Sequence, residues 1–148
     1  MQALVDIVHQ GKALYVGISK YPPRQAIEAM TYLKKNNVPC LIFQDRYNMF
    51  QREPEKEILN IANKFGAGFI AFSPLAQGIL TDKYLNGIPE HSRAADPTGF
   101  LRREQVTDQL IEKVKKLNEI ATQREQTMAE MALAWVLRDE RVTSAIIG

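Results

Sequence analysis

A single cysteine, Cys40, stands in 148 residues. It cannot close an internal disulfide, which excludes the disulfide-stapled secreted folds. No apolar run approaches the ~18 residues that a membrane helix needs. The chain opens Met1-Gln2-Ala3-Leu4-Val5-Asp6, without the basic region and apolar core of a secretory signal. Surplus charge is missing as well. The 19 Lys and Arg face 17 Asp and Glu, for a net +2, too even a balance for a surface that tracks nucleic-acid phosphates. His9, His91 and the lone cysteine offer no zinc-ligand spacing, so no metal site is expected. These absences point to a cytoplasmic protein with neither a nucleic-acid nor a membrane partner.

What is present is ordinary globular material. Hydrophobic residues make up 45 % and charged residues 24 %, enough apolar side chain for a core in one domain-length chain. Four short apolar runs recur, at Ala13–Ile18, Val38–Phe43, Gly68–Phe72 and Val142–Ile147. Each is nearly continuous, the pattern of parallel strands buried on both faces. Helical segments separate them. Pro23 suits the first turn of a helix reaching Asn36, with Ala26, Ile27, Met30 and Leu33 inward. Pro54 opens a second, whose stripe is Ile58, Ile61, Ala62 and Phe65.

A Gly- and Pro-rich connection, Leu75 to Arg103, follows the third run. Helices over Glu104–Arg124 and from Thr127 onward come next, the latter opened by a Thr127/Glu130 capping box. The first turns Leu110, Val114, Leu117 and Ala121 inward, the second Met128, Met131, Ala132, Trp135 and Val136. Such alternation predicts an α/β fold with right-handed crossovers. Either an open doubly wound sheet or part of a closed (β/α)₈ barrel satisfies it. A whole barrel takes ~250 residues, and the last strand has no covering helix within the sequence. The expectation is a piece of a larger fold.

Parallel sheets hold ligands at the carboxyl ends of their strands. Those ends read Gly17-Ile18-Ser19-Lys20-Tyr21, Phe43-Gln44-Asp45-Arg46-Tyr47-Asn48 and Phe72-Ser73-Pro74-Leu75-Ala76-Gln77-Gly78. Ser19, Gln44 and Ser73 can each donate and accept, which suits an amide or sugar rather than a bare metal. One motif misleads. Gly66-Ala67-Gly68-Phe69-Ile70-Ala71 spells G-x-G-x-x-A, the dinucleotide-binding fingerprint, but that fingerprint must follow a strand and open a helix. Here it closes a helix and enters a strand, so Gly66 is expected as a helix cap.

Together these strand ends, with Lys83-Tyr84-Leu85-Asn86-Gly87-Ile88-Pro89, Ser92-Arg93 and the Ala129–Gly148 ending, resemble the aldo-keto reductase superfamily. The likeness is to the branch that contains bacterial glyceraldehyde-3-phosphate-reductase-like enzymes and potassium-channel β subunits. It implies that residues 1–148 are one partial (β/α)₈ TIM barrel domain, the cofactor-binding C-terminal half: strands five to eight, without the final helix. It also implies NADPH as cofactor and a small aldehyde or ketone as substrate.

By the same resemblance, Ser19 and Gln44 bind the nicotinamide carboxamide, with Lys20 beside them. Phe72 stacks on the nicotinamide ring, while Ser73, Leu75, Gln77 and Gly78 wrap the pyrophosphate. Lys83 and Arg93 reach the cofactor phosphates. The family's Asp-x-x-x-x-Tyr spacing occurs nowhere here, so no residue is assigned a catalytic role and the isolated chain is expected to be inactive. Two alternatives stand beside the reductase: a cofactor-sensing regulatory protein like the channel β subunits, and an inactive half-barrel that self-associates through exposed strand edges.

Overall fold

A computed structural model describes residues 1–147. Four strands, β1 (Val16–Ser19), β2 (Cys40–Arg46), β3 (Gly68–Phe72) and β4 (Val142–Ala145), form one sheet in chain order. Every adjacent pair is parallel. Helix α1 (Gln2–His9) precedes β1, and α2 (Pro23–Lys35), α3 (Ile58–Phe65), α4 (Asp108–Gln123) and α5 (Met128–Val136) follow in the order that the sequence predicts. The fold is α/β. Among the described residues, no helix is long and apolar enough to cross a membrane.

The register builds the core in rows. Ile18, Phe43, Phe69 and Val142 lie side by side and are all buried. They pack against Val5 of α1, Met30 and Leu33 of α2, Leu59 and Ala62 of α3 and Val136 of α5. The Phe43 and Phe69 rings stack at 6.4 Å, and Tyr47 meets Phe69 edge-on at 6.1 Å. A second core joins Leu80, Tyr84 and Leu101 of the long connection to Val114, Ala121 and Met128 of α4 and α5.

Burial of the sheet on both faces is not what forms. In β1, Val16 and Ile18 are buried and Gly17 and Ser19 exposed. The neighbours of Ser19 in its register row, Gln44 and Ile70, are only half-buried and Ser144 is exposed. The helices thus cover one face, and the other carries no buried residue. A continuous apolar run cannot reveal this, because small or β-branched residues such as Gly17, Ile42 and Ile70 fit either face.

Several boundaries move for local reasons. Leu14 and Tyr15 are 82 % and 69 % exposed and lie outside β1, which starts at Val16. The Val142–Ile147 run is a strand only to Ala145, and Ile146 extends it by one hydrogen bond to the Ala71 carbonyl (2.8 Å). Pro54 sits in a single 3₁₀ turn, Glu53–Glu55; Glu57, at φ −145°, separates it from α3. Leu59, which the expected stripe left out, is fully buried, and Ile61 and Phe65 are half-buried. On α2, Ile27 faces solvent and Ala29 turns inward. The Thr107 hydroxyl accepts from the Leu110 amide (3.2 Å) and caps α4, so that helix begins at Asp108 rather than Glu104.

Other local readings hold as expected. Pro23 opens α2, and the Thr127/Glu130 capping box opens α5. Gly66 caps α3 in the left-handed region at φ +73°. Cys40 is buried at the start of β2, and burial pushes its thiol above the usual range. A thiol held protonated is a poor nucleophile.

Candidate functional site

The end of β3 and the residues just past β4 meet. A cleft of about 390 Å³ opens where β3 runs into the long connection. Its walls bring together Phe72, Ser73, Leu75, Gln77, Gly78, Lys83 and Arg93, with Ile146 and Ile147 just beyond β4. Seven of the ten residues expected to bind cofactor therefore share one cavity. Ser19, Lys20 and Gln44 do not line it. Ser19 and Gln44 are register partners on the open face. Lys20 is tied to that row by its amide, which donates to the Gln44 carbonyl (3.0 Å). Its Nζ lies 5.9 Å from the centre of the Phe72 ring and 3.7 Å from Asp45.

Backbone shape makes the cleft. Ser73, Ala76 and Gln77 adopt φ of 52°, 48° and 62°, and Gly78 follows at 99°. Left-handed non-glycine residues persist only where surroundings hold them, and they cluster at binding sites. At Gly78 the positive φ would strain any side chain, while the space beside the Tyr84 ring would itself accept a Cβ at an ordinary 3.6 Å contact. Thr81 then reverses the chain: its hydroxyl donates to the Gly78 carbonyl (2.7 Å) and accepts from the Lys83 amide (3.1 Å). That bond pair sets the direction in which Lys83 leaves the turn. Buried Tyr84 accepts from the Ala94 amide through its hydroxyl (3.4 Å), which ties the Arg93 segment to the same wall.

The charges differ sharply in their company. Among the described residues, Lys83 and Arg93 form no salt bridge, so two cations face one cleft without a protein anion. Donors of this kind, beside a glycine that allows close backbone approach, fit a phosphate-bearing ligand. The sequence reading missed two neighbours. Arg46 pairs with Phe72 in register and lies 5.5 Å from its ring, its Nε buried without a partner. Asn48 is fully buried and reaches the Ser73 carbonyl with its Nδ2 (2.9 Å). Both belong to the Phe-Gln-Asp-Arg-Tyr-Asn segment, in which only Gln44 had been singled out.

Tyr47 is fully buried, and burial pushes its hydroxyl above the ordinary phenol range. That hydroxyl donates to Glu55 Oε1 (2.7 Å) and accepts from Arg138 Nη1 (3.0 Å). Arg52 and Arg138 both bind Glu55, at 2.8 and 3.0 Å. The Arg52 hydrogen bond, ahead of the others, holds the Glu55 carboxyl at about 2. Arg138 also lies 3.7 Å over the Trp135 ring. This cluster locks the loop after β2 to α5. Among the described residues, no group of three or more His, Cys, Asp or Glu could hold a metal ion.

Comparison with known proteins follows the same line. Residues 1–148 match the model of the Aldo/keto reductase family. The L-glyceraldehyde 3-phosphate reductase of Escherichia coli O157:H7 is 46 % identical over 150 residues, covering 99 % of this chain and 43 % of that protein. The protein of the same name from strain K12 is 45 % identical over 150 residues, with the same two coverages. The chain thus spans less than half the length of the curated relatives it matches.

Proposed function

This chain belongs to the aldo/keto reductase family, and on that premise we propose that residues 1–148 form the cofactor-holding half of a (β/α)₈ reductase. The complete barrel would pass hydride from NADPH to the carbonyl of a small aldehyde or ketone. The observation that carries this reading is the cleft itself: two cations without a salt bridge among the described residues, Lys83 and Arg93, share it with Gly78 and the Phe72 ring. A bound nicotinamide supplies the hydride. The residues here bind and orient it.

Gln44 and Ser19 present an amide and a hydroxyl side by side on the open face, matching the mixed donor and acceptor needs of a carboxamide. Phe72 offers a π-face for stacking, and Lys20 stands over that ring. Ser73, Leu75, Gln77 and Gly78 form the turn around the pyrophosphate. Lys83, a point charge, and Arg93, a fork donor, take the phosphates. The general acid comes from chain outside these residues, because no Asp-x-x-x-x-Tyr spacing lies within them and Tyr47 is committed to Glu55. The relatives' name makes L-glyceraldehyde 3-phosphate the first carbonyl to try. A cytoplasmic setting belongs to the same proposal.

The test uses the purified 148-residue chain. NADPH should bind saturably by fluorescence. Turnover with methylglyoxal or L-glyceraldehyde 3-phosphate should fall roughly 10²–10⁴-fold below a full-length relative, the share owed to the general acid alone. Enzyme-like turnover, or no NADPH binding at all, would refute the reading.

Self-association is a second reading, favoured by exposed apolar side chains at the two edge strands. Leu14 and Tyr15 precede β1, and Ile147, 64 % exposed, follows β4. Both outer strands leave one set of backbone groups unpaired, which invites pairing with another copy. Light scattering at micromolar concentration decides it, since a stable monomer with cooperative unfolding would remove the proposal.

A further inference from the structure

Two polar side chains are buried among the described residues, Asn48 and Ser92. The Ser92 hydroxyl is unpaired, whereas Asn48 uses every bond an amide can make. Its Oδ1 accepts from the amides of Phe50 and Gln51 (both 3.0 Å). Its Nδ2 donates to Gln51 Oε1 and to the Ser73 carbonyl (both 2.9 Å). Three of these bonds stay inside the turn after β2. The fourth crosses to the residue that follows β3.

That fourth bond lands at a particular place. The Ser73 carbonyl also accepts from the Ala76 amide (3.0 Å), the bond that closes the turn into Ala76–Gly78. Ser73 is the first of the four left-handed residues shaping the cleft. Each non-glycine among them is unfavourable by itself and needs a fixed neighbour to hold it. Here Asn48 is that neighbour, anchored on three sides and presenting an N–H at one fixed point. We propose that Asn48 is a positioning residue: by fixing the Ser73 carbonyl it holds Ser73–Gly78 in the shape that receives the cofactor pyrophosphate. The ligand in this statement rests on the function proposed above; the control of loop shape does not.

Asn48→Asp tests it. The carboxylate keeps acceptors for the Phe50 and Gln51 amides but loses the donor to Ser73. Gln51→Ala is the control, because it removes the other Nδ2 partner and leaves the Ser73 bond in place. Amide exchange reads the loop directly, and NADPH titration reads the site. In Asn48→Asp, exchange at Ala76 should accelerate about tenfold relative to amides within β2, and NADPH should bind about tenfold more weakly, as for one unsatisfied buried hydrogen bond. Gln51→Ala should change neither. Unchanged Ala76 exchange in Asn48→Asp, or an equal change in Gln51→Ala, overturns the proposal. Faster Ala76 exchange in a chain that binds no NADPH upholds the loop assignment and refutes the cofactor reading. Should Asn48→Asp fail to fold, Asn48→Ser, which keeps one hydroxyl for the turn, carries the same comparison.

Discussion

Two neighbouring register rows divide the labour of the sheet. Ile18, Phe43, Phe69 and Val142 form one, and Ser19, Gln44, Ile70 and Ser144 the next. Every member of the first is buried against helices; no member of the second is buried. Successive residues point to opposite faces of a strand, so a step of one residue in β1, β2 and β3, and of two across the irregularity at Thr143 in β4, separates the helix-covered surface from the open one proposed to face the cofactor. Stability and chemistry can then vary independently in adjacent positions. The comparison makes definite claims about what each row should lose.

The largest expected effect lies on the covered face. Phe69→Ala removes a ring stacked on Phe43 and touched edge-on by Tyr47. It should cost about 3–5 kcal/mol in a chemical denaturation experiment, the range for deleting a buried aromatic. Its neighbour Ile70 is half-buried on the open face, so Ile70→Ala should cost under about 1.5 kcal/mol. Equal losses at the two positions would break the comparison.

The open face should respond in binding instead. Gln44→Ala and Phe72→Ala are expected to weaken NADPH affinity by about 1–3 kcal/mol each, through an unsatisfied amide and a lost stacking surface. Their thermal midpoints should stay close to that of the unaltered chain. A fall in stability with unchanged affinity would show that these residues serve the fold rather than the proposed cofactor site.

Acid should discriminate next. Glu55 is held at about 2 in the folded chain by Arg52, Tyr47 and Arg138, below its value near 4.5 when free. Below the free value the unfolded chain binds the proton more readily, so stability drops as the pH is lowered. The Glu55 contribution is complete above pH about 4.5 and is lost as pH drops toward about 2, roughly 1–3 kcal/mol in all. In Glu55→Gln this part of the slope should vanish from denaturation midpoints measured across that window.

The smallest effect belongs to the cleft cations. Lys83→Ala and Arg93→Ala break no salt bridge among the described residues and should change stability by less than about 0.5 kcal/mol. Each should still weaken NADPH and make its binding less sensitive to salt. A marked loss of stability would show that these charges serve the fold.

The sequence disclosed the covered face better than the open one. Ala26, Met30, Leu33, Val114 and Val136 sit where helical spacing puts them, and the capping box and the left-handed Gly66 cap are local signals that need no tertiary context. Ile27 and Ala29 exchanged places because both are apolar and the helix rotation is decided by what it meets. At the site, residue chemistry was legible in Lys83, Arg93 and Phe72, through resemblance to a family. The left-handed run was not, since Ser73, Ala76 and Gln77 carry no propensity for it. Nor was Asn48, whose partner lies 25 residues away. Bonds of that kind exist only once two strands have paired.

The long crossover from Ser73 to Arg141 has a kinetic consequence. β2 and β3 pair across a short connection, and β1 joins β2 across another, but β4 reaches β3 only after the whole crossover has been gathered in. Closing a longer loop costs more chain entropy before any contact repays it, and such non-local pairing is slow. Ile146 and Ile147, which wall the cleft, ride on that last strand. Three strands can therefore stand before the cleft has its final wall, and recovery of cofactor binding during refolding should trail recovery of the β1–β3 signal.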